Sequence, residues 1–444
     1  MSKKYQVSIV KYEKPKESVR KAINLINGLK DISTDSKVFI KPNVVYWNSE
    51  CDFPKWGMLT TSRVVNDVVE LLHERGFSDI TIGEGIISED PNNKSVAEDA
   101  FESLGYYKLR DRYGIKVYNA FERPYEKVNL TKNITARMSS DMLNSDFLVN
   151  LPVLKTHAQC KVSLGIKNIK GLISISSRKK FHSADPEHDL HYNVAQLANK
   201  IPPCLTILDG IYTIERGPAM DGKAHRSDIL VASRDIVSVD IVGSNLLGIG
   251  PEEVPYIVQA AKDRDRKTDL ADIEVKGESI ENLAKPHEWD YIYKENDTLP
   301  LPYAKAGIKG IKYYKYDESM CTFCSFYNGI VLTAIKTAWK GRNGEPFDDV
   351  EILTGKNMEP QKGMNKTILF GQCQYVRNRE HPNINELIAI KGCPPSVEDI
   401  QEGLRKAGIS VPSYFFKNID KAPLLFMQKY KGKPEFKEEF FEIK

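Results

Sequence analysis

Four of the seven cysteines lie in the last third of the chain, in positions that favour a shared metal site. Two residues separate the first cysteine from the second, 48 separate the second from the third, and 19 separate the third from the fourth. Thiolates are ligands of both zinc and iron–sulfur clusters. The predicted metal ligands are Cys321, Cys324, Cys373 and Cys393.

The scattered spacing favours one iron–sulfur cluster of the 4Fe-4S type over zinc. The four cysteines do not form two CxxC knuckles. Pro394 directly follows the last of them, and proline after a cysteine ligand is common in cluster-binding segments. Without a ferredoxin-type run of cysteines, at most one cluster is expected. Structural zinc and unconnected buried cysteines remain alternatives. Cys51, Cys160 and Cys204 lie apart from this set, and we expect them to be ordinary buried thiols.

A second set of polar side chains follows the predicted ends of apolar strands. Lys155 and His157, a cation and an imidazole, follow the end of a predicted apolar strand. Open α/β sheets bind ligands at the carboxyl edge of their strands, so these side chains are expected to line one cleft. Lysine would hold an anion there and histidine would transfer a proton. The predicted cleft residues are Lys41, Asn43, Glu84, Lys155, His157, Lys167, Asn168 and His182.

Each of these polar residues also has an ordinary interpretation. A lysine at a strand end is commonly a solvated charge, and a single histidine is commonly a satisfied surface or core residue. The cleft therefore depends on the set as a whole.

The elements that would position both sets alternate between strand and helix. Short apolar strands bounded by turn residues alternate with helical patterns, which is typical of βαβ units. The predicted fold class is α/β, with a large mostly parallel-sheet domain and a smaller α/β domain that holds the metal. In the smaller domain we predict strands over 350–353, 367–370 and 387–390 and a helix over 396–406.

The same pattern predicts four segments along the chain. Residues 1–285 form the large domain with the polar cleft, and residues 286–318, rich in proline and tyrosine, form a linker or arm. Residues 319–412 form the small iron–sulfur domain. The aromatic tail over 413–444 is expected to pack on the body of the protein or on a partner subunit.

Composition and charge exclude several classes of protein. The 444 residues are 41% hydrophobic and 28% charged, ordinary globular values, and 63 basic against 60 acidic residues give a net charge of only +3. We therefore expect no nucleic-acid partner. No apolar window reaches the ~18 residues of a membrane helix, and no signal peptide is evident, so a cytoplasmic location is expected. The expected partners are a small anionic molecule and an electron-transfer protein, with a homodimer as a further option.

Several of these segments resemble, in order, the motifs of the family numbered 362 among domains of unknown function. The resemblance covers about residues 5–278 and rests on Lys41-Pro42-Asn43, Gly83-Glu84-Gly85, Asn150-Leu151-Pro152 with Lys155-Thr156-His157, Lys167-Asn168 with Gly171, Phe181-His182, Asp209-Gly210 with Gly217-Pro218, and Ala232-Ser233 to Asp240.

The resemblance implies an association with iron–sulfur modules, and residues 391–395 resemble the cysteine-containing extension of some members. Two features depart from the family pattern. A charged run over 261–266 stands in place of a glycine-rich turn, and Cys160 replaces a small or apolar residue.

Together these features predict an iron–sulfur protein, a redox or redox-linked oxidoreductase acting on a small anionic substrate. Two alternatives stay open. One is a non-redox isomerase or lyase that uses Lys and His for proton chemistry beside a structural cluster or zinc. The other is an electron-transfer or cofactor-maturation partner. The resemblance implies no particular reaction.

Overall fold

The computed structural model describes residues 4–50, 53–87, 93–217, 221–421 and 423–444. Cys51 and Pro218 lie outside these described residues. The chain divides into two compact units. Unit 1 contains the described residues of Met1–Ser177, His191–Asp290 and Pro423–Lys444, and unit 2 those of Arg178–Leu190 and Tyr291–Ala422.

Unit 1 is built on an eight-stranded sheet and two short antiparallel hairpins. Its strands are, in chain order, β1 (Tyr5–Lys11), β2 (Val38–Pro42), β3 (Ile80–Glu84), β4 (Lys116–Asn119), β5 (Tyr125–Asn129), β6 (Thr135–Ser139), β7 (Phe147–Leu151), β8 (Lys155–His157), β9 (Lys161–Ser163), β10 (Cys204–Glu215), β11 (Lys223–Ser233) and β12 (Ile273–Gly277). The order across the large sheet is β12-β1-β11-β10-β7-β2-β3-β4. Among its described strands β11 alone runs antiparallel to its neighbours, which confirms the predicted α/β class with a mostly parallel sheet.

Helices connect these strands in the manner expected of parallel pairs, which need long crossovers. They are α1 (Glu17–Leu25), α2 (Ser62–Glu74), α3 (Ser95–Ser103), α4 (Tyr106–Tyr113), α5 (Ser140–Leu143), α6 (Gly165–Asn168), α7 (Ile175–Phe181), α8 (Leu190–Gln196), α9 (Ile236–Leu246), α10 (Pro255–Lys262) and α11 (Ile280–Leu283).

The central strands of the large sheet are buried on both faces. All five residues of β2 and all five of β7 are buried, as is usual where both faces of a parallel sheet are covered. A polar side chain in such a strand must find its partners inside the protein, because an unpaired buried polar group is costly. Lys41 in β2 and Asn150 in β7 are in this position.

Unit 2 contains a four-stranded sheet in which every described pair is parallel. The strands β13 (Ile311–Tyr313), β14 (Val350–Leu353), β15 (Lys366–Phe370) and β16 (Glu386–Ile390) lie in that order across the sheet. Its helices are α12 (Leu301–Lys305), α13 (Thr322–Phe326), α14 (Asn328–Lys340), α15 (Gln372–Asn378), α16 (Val397–Lys406) and α17 (Ser413–Lys417).

Two segments differ from the limits expected from the sequence. The greater part of the predicted linker, residues 291–318, belongs to unit 2 and contributes β13 to its sheet. The aromatic tail is divided between the units. Its last part, from Pro423 and including α18 (Leu424–Met427), belongs to unit 1, where Phe440 and Phe441 are buried in the core.

Candidate functional site

A buried ion pair joins two neighbouring parallel strands of unit 1. Lys41 in β2 and Glu84 at the end of β3 bring Nζ and Oε1 to 2.8 Å, and both side chains are fully buried. The backbone N–H groups of Val44 and Gly85 donate to the Glu84 carboxylate at 2.8 and 2.7 Å. These bonds matter because a buried charge without partners is strongly destabilising. The pair thus fixes two opposite charges at one edge of the sheet.

The backbone of Gly171 lies directly against this ion pair. A Cβ atom at Gly171 would stand 2.7 Å from Glu84 Oε1 and 2.8 Å from Lys41 Nζ. A Cβ atom at Gly85 would lie 2.3 Å from the Gly171 carbonyl oxygen. These distances are shorter than van der Waals contact, so both positions require glycine.

Two buried asparagines extend the network. Asn168 Oδ1 accepts a hydrogen bond from Lys41 Nζ at 3.3 Å, and Asn168 Nδ2 donates to Asn150 Oδ1 at 2.8 Å. Asn150 Nδ2 donates in turn to the Gly165 carbonyl oxygen at 3.0 Å. Asn150 is not among the predicted site residues. The signal that could have identified it is an amide inside an otherwise apolar strand, because buried polar groups are nearly always hydrogen-bonded.

The buried side chain of Asp240 positions the helix that carries Lys167 and Asn168. Asp240 accepts hydrogen bonds from the backbone N–H groups of Gly165 and Ile166, at 2.6 and 3.1 Å, where α6 begins. Burial raises the pKa of Asp240 to about 8. Asp240 touches none of the predicted cleft residues in these bonds, and it acts by holding α6 in place.

Lys155 lies in β8 with its side chain only 2% exposed. Its Nζ donates to Asn43 Oδ1 and, at 2.8 Å, to the Met58 carbonyl oxygen. Asn43 is held by its own backbone N–H, which donates to Thr60 Oγ1 at 2.8 Å. Both acceptors of Lys155 are neutral oxygens, so neither offsets the charge of an ammonium group fully.

The surroundings of Lys155 favour its neutral amine. Burial is the largest cause, and the positive charges of Lys167 and Lys41 act in the same direction, while Glu84 opposes them; the pKa of Lys155 falls to about 7. A neutral amine has two N–H groups, which the two oxygen acceptors can occupy, and one lone pair. Lys155 can therefore accept a proton near neutral pH.

His157 ends the same strand two residues after Lys155, so the two side chains leave the same face of β8. Its Nδ1 accepts a hydrogen bond from the Gln159 backbone N–H at 3.1 Å. Nδ1 must be unprotonated in that bond, and a neutral His157 ring therefore carries its proton on Nε2. The ring is partly exposed.

Seven of the eight predicted cleft residues belong to unit 1, and hydrogen bonds or charge interactions link six of them: Lys41, Asn43, Glu84, Lys155, Lys167 and Asn168. The structure places His182 in unit 2, because the chain enters that unit at Arg178, within α7. His182 Nδ1 donates to the Glu318 carbonyl oxygen at 2.7 Å, since a carbonyl can only accept.

The four predicted metal ligands of unit 2 follow strands of its parallel sheet. Cys321 and Cys324 lie at the start of α13, in the segment after β13. Cys373 lies in the first turn of α15, after β15, and Cys393 follows β16. Because these strands are parallel, the segments leave the same edge of the sheet.

Short contacts connect these cysteine segments. The Cys324 thiol donates a hydrogen bond to the sulfur of Cys321. A Cβ atom at Gly371 would lie 3.3 Å from Cys324 Sγ, and the Gln372 backbone N–H donates to the Gly392 carbonyl oxygen at 2.8 Å. The charges of Cys373 and Cys393 both act on Cys324, so the four sulfurs form one electrostatic group.

The surroundings of the cysteine thiols give them different pKa values. The hydrogen bond from Cys324, followed by bonds from the backbone N–H groups of Cys324 and Phe323, lowers the pKa of Cys321 to about 5, against the effect of burial. The same thiol–thiol bond and burial raise the pKa of Cys324. Burial raises the pKa of Cys373.

Two lysines of unit 2 stand beside the thiols. Lys179 Nζ donates to Cys393 Sγ at 3.2 Å and to the Cys393 carbonyl oxygen at 3.0 Å. Lys356, in the segment after β14, donates to the Lys179 carbonyl oxygen at 3.2 Å and to that of His182, and its charge acts on Cys373. Neither lysine is predicted from the sequence, because their proximity to the cysteines depends on tertiary structure.

The donor chemistry of this cysteine group fits a thiolate-bound metal centre. Within the described ranges, no three His, Cys, Asp or Glu side chains are arranged to hold a single metal ion. The four thiols nevertheless share one sheet edge, one has a pKa low enough to be a thiolate at neutral pH, and two cations lie within reach of the charge that thiolates would bring.

Residues 38–245 match the model of a family described as a domain of unknown function, DUF362. A thylakoid-associated protein of Synechocystis sp. is 27% identical over 250 residues, which cover 56% of this chain and 74% of that protein. Among the described residues no helix is long and apolar enough to cross a membrane.

Two solved structures align with the chain at 12% sequence identity. The lactate racemase apoprotein of Thermoanaerobacterium thermosaccharolyticum aligns over 55% of this chain and 57% of its own, with a TM-score of 0.34. A structural-genomics protein of Thermotoga maritima aligns over 90% of this chain and 92% of its own, with a TM-score of 0.36.

Proposed function

We propose, from the premise that residues 38–245 belong to the DUF362 family, that this chain is an iron–sulfur protein that couples electron exchange in unit 2 to proton chemistry on a small anion in unit 1. The observation that carries the proposal is the group of four cysteines at one edge of the parallel sheet of unit 2, with a lysine donating to one of their sulfurs.

The residues that would hold a four-iron cluster are Cys321, Cys324, Cys373 and Cys393. Bound there, such a cluster supplies one-electron oxidation and reduction. Four thiolates bring a large negative charge, and the cations of Lys179 and Lys356 beside them offset part of it. The start of α13 supports the same role, because the backbone N–H groups of Phe323 and Cys324 donate to the sulfur of Cys321.

The network of unit 1 supplies the features of an anion and proton site. The cation of Lys167 is partly exposed and would attract an anion. Lys155, with a pKa of about 7, would accept a proton from that anion, and the Nε2–H group of a neutral His157 would donate a hydrogen bond to it. The buried pair of Lys41 and Glu84 fixes the charges around them.

A second candidate function is a non-redox isomerase or lyase in which the metal centre is structural. The observation that favours it is the low pKa of Lys155, because proton abstraction by a neutral amine needs no electron donor. Either function is compatible with a reducing compartment such as the cytoplasm, since the six described cysteines are free thiols.

The test is metal analysis of the full chain purified without oxygen. We expect about four iron and four sulfide per chain, and a signal in electron paramagnetic resonance that appears on reduction with dithionite. Cys393→Ser should lose most of the iron and sulfide. Cys204→Ser is the matched control, because Cys204 is a buried thiol of unit 1, and it should retain the metal.

Three results would contradict parts of this proposal. If the protein contained zinc and no sulfide, the four cysteines would form a structural zinc site and not an iron–sulfur cluster. A cluster that dithionite does not reduce would support the isomerase or lyase function. Full iron content in Cys393→Ser would show that the four cysteines do not act together.

A further inference from the structure

A cavity in unit 1, separate from the network around Lys155, is lined mainly by cations. Its volume is ≈ 600 Å³, which lies within the range of roughly 300–1,000 Å³ that is usual for small-molecule sites. Three chain segments form it: the start of β11, the segment that follows α11, and the tail after α18. The lining residues include Lys223, His225, Arg226, Lys285, Lys429 and Lys433.

The cations of this cavity are only partly neutralised. Arg226 pairs with Asp228, and Lys223 lies 3.7 Å from Glu215. Lys429 donates instead to backbone carbonyl oxygens, that of Asp221 at 2.5 Å, and burial lowers its pKa. Glu435 is the one carboxylate among the described lining residues, against five lysine and arginine side chains.

Neighbouring cations in one cavity repel each other, and an anion placed among them would remove that repulsion. His225 also lines the cavity, and its Nε2 is buried and has no hydrogen-bond partner among the described residues, although Glu215 Oε1 lies 3.4 Å away. The cavity therefore offers positive charge to a ligand.

The wall formed by the tail is held firmly to unit 1. The Tyr430 hydroxyl donates to the Gly222 carbonyl oxygen at 3.1 Å and accepts from the Ala224 backbone N–H at 3.0 Å. The Tyr430 ring packs 5.1 Å from Trp56 and 4.7 Å from Phe436, measured between ring centroids. Lys429 and Lys433 flank this anchor and are thereby held at the cavity.

We propose that this cavity binds a small polyanion with two or more phosphate groups. Lysine is a common point-charge ligand of phosphate, and several cations around one cavity suit a ligand with several negative groups. The size of the cavity favours a small molecule, and the net charge of +3 for the whole chain gives no support for nucleic acid. This proposal does not depend on the iron–sulfur proposal, because the two concern different units.

The experiment is calorimetric titration of the full chain with pyrophosphate, and with orthophosphate and citrate for comparison. Wild type should bind pyrophosphate saturably and more tightly than orthophosphate. The double variant Lys285→Ala with Lys433→Ala should bind pyrophosphate about 100-fold more weakly, about tenfold for each charged hydrogen bond removed. Both side chains are exposed, so the fold should persist, which a melting curve checks.

The control is Lys127→Ala with Lys132→Ala, which removes the same charge from two exposed lysines of unit 1 that do not line the cavity. Its affinity should equal that of wild type. Equal weakening in the control would show a diffuse effect of net charge and overturn the site. Wild type without saturable pyrophosphate binding, or with tighter binding of citrate, would overturn the phosphate assignment.

Discussion

At the scale of single residues, Lys155 makes the chemistry of unit 1 depend on pH. Its pKa in the folded protein is about 7, whereas an exposed lysine titrates near 10.5. Below pH 7 both states carry the proton, and the folded state bears the full cost of a buried ammonium. Between pH 7 and 10 the unfolded state binds more protons, so folding becomes more favourable as the pH rises.

We therefore expect wild type to gain stability relative to Lys155→Met between pH 7 and pH 10. The gain should reach roughly 3.5 kcal/mol, because each of these three pH units contributes at most ~1.4 kcal/mol. Urea unfolding followed by fluorescence in a Trp339→Phe background measures it, because the other three tryptophans lie in unit 1. A stability difference that does not change with pH would show that Lys155 is charged in the folded protein throughout this range.

Lys179 is the second residue whose role can be isolated. If the proposed cluster is present, its hydrogen bond and positive charge at Cys393 stabilise the reduced, more negative state. Lys179→Gln should lower the reduction potential by roughly tens of millivolts while the iron content stays the same. Lys180→Gln is the control, since Lys180 is the exposed neighbour, and an equal shift there would point to a general charge effect.

At the scale of elements, the close approach of the Gly171 segment to β2 and β3 holds the buried ion pair in place. Gly171→Ala would force its Cβ against Lys41 and Glu84, and we expect a loss of about 2 kcal/mol in the stability of unit 1, as for an overpacked core. The fluorescence measurement above detects this loss. Gly329→Ala, where nothing lies within 4 Å of the added Cβ, should leave unit 1 unchanged; a loss equal in both variants would contradict the steric argument.

The elements of unit 2 could largely be predicted from the sequence. The strands β14, β15 and β16 and helix α16 coincide with the predicted ranges within a residue or two, because each is a short apolar or amphipathic run bounded by turn residues. Strand β13 could not be predicted from the sequence, because it has only three residues. So short a segment among prolines and tyrosines shows no clear alternation of apolar and polar residues. Its contribution to the sheet is decided by pairing with β14.

Some features of the candidate site could also be predicted from the sequence, and others could not. Polar residues that follow strands, such as Asn43 and Lys155, can be identified because strand ends share a sheet edge. The pairing of Lys41 with Glu84 could not be predicted, since it requires knowing that β2 and β3 are neighbours. It could likewise not be predicted that His182 belongs to unit 2, because no feature of the sequence marks residues 178–190 as part of that unit.

At the scale of the whole molecule, the chain leaves unit 1 twice and returns to it through its tail. The returning segment contributes large apolar side chains to the core of unit 1. Phe441 is 1% exposed, and its carbonyl oxygen accepts a hydrogen bond from Ser62 Oγ at 3.1 Å. The ring of Phe440 packs edge to face with Tyr12 and Tyr212. The tail is therefore part of the folding unit that contains β1 and β10.

This arrangement predicts that a substitution near the end of the chain destabilises the large sheet. Phe441→Ala removes a buried ring and should lower the free energy of unfolding of unit 1 by about 3 kcal/mol or more, because the cavity left behind can relax only partly. Leu425→Ala is the control from the same tail; its side chain is 70% exposed, and the loss should stay under ~0.5 kcal/mol. Urea unfolding in the Trp339→Phe background measures both variants. If Phe441→Ala left the transition where it is in wild type, the tail would not belong to the core of unit 1, and the wall of the cationic cavity that the tail forms would lose its support as well.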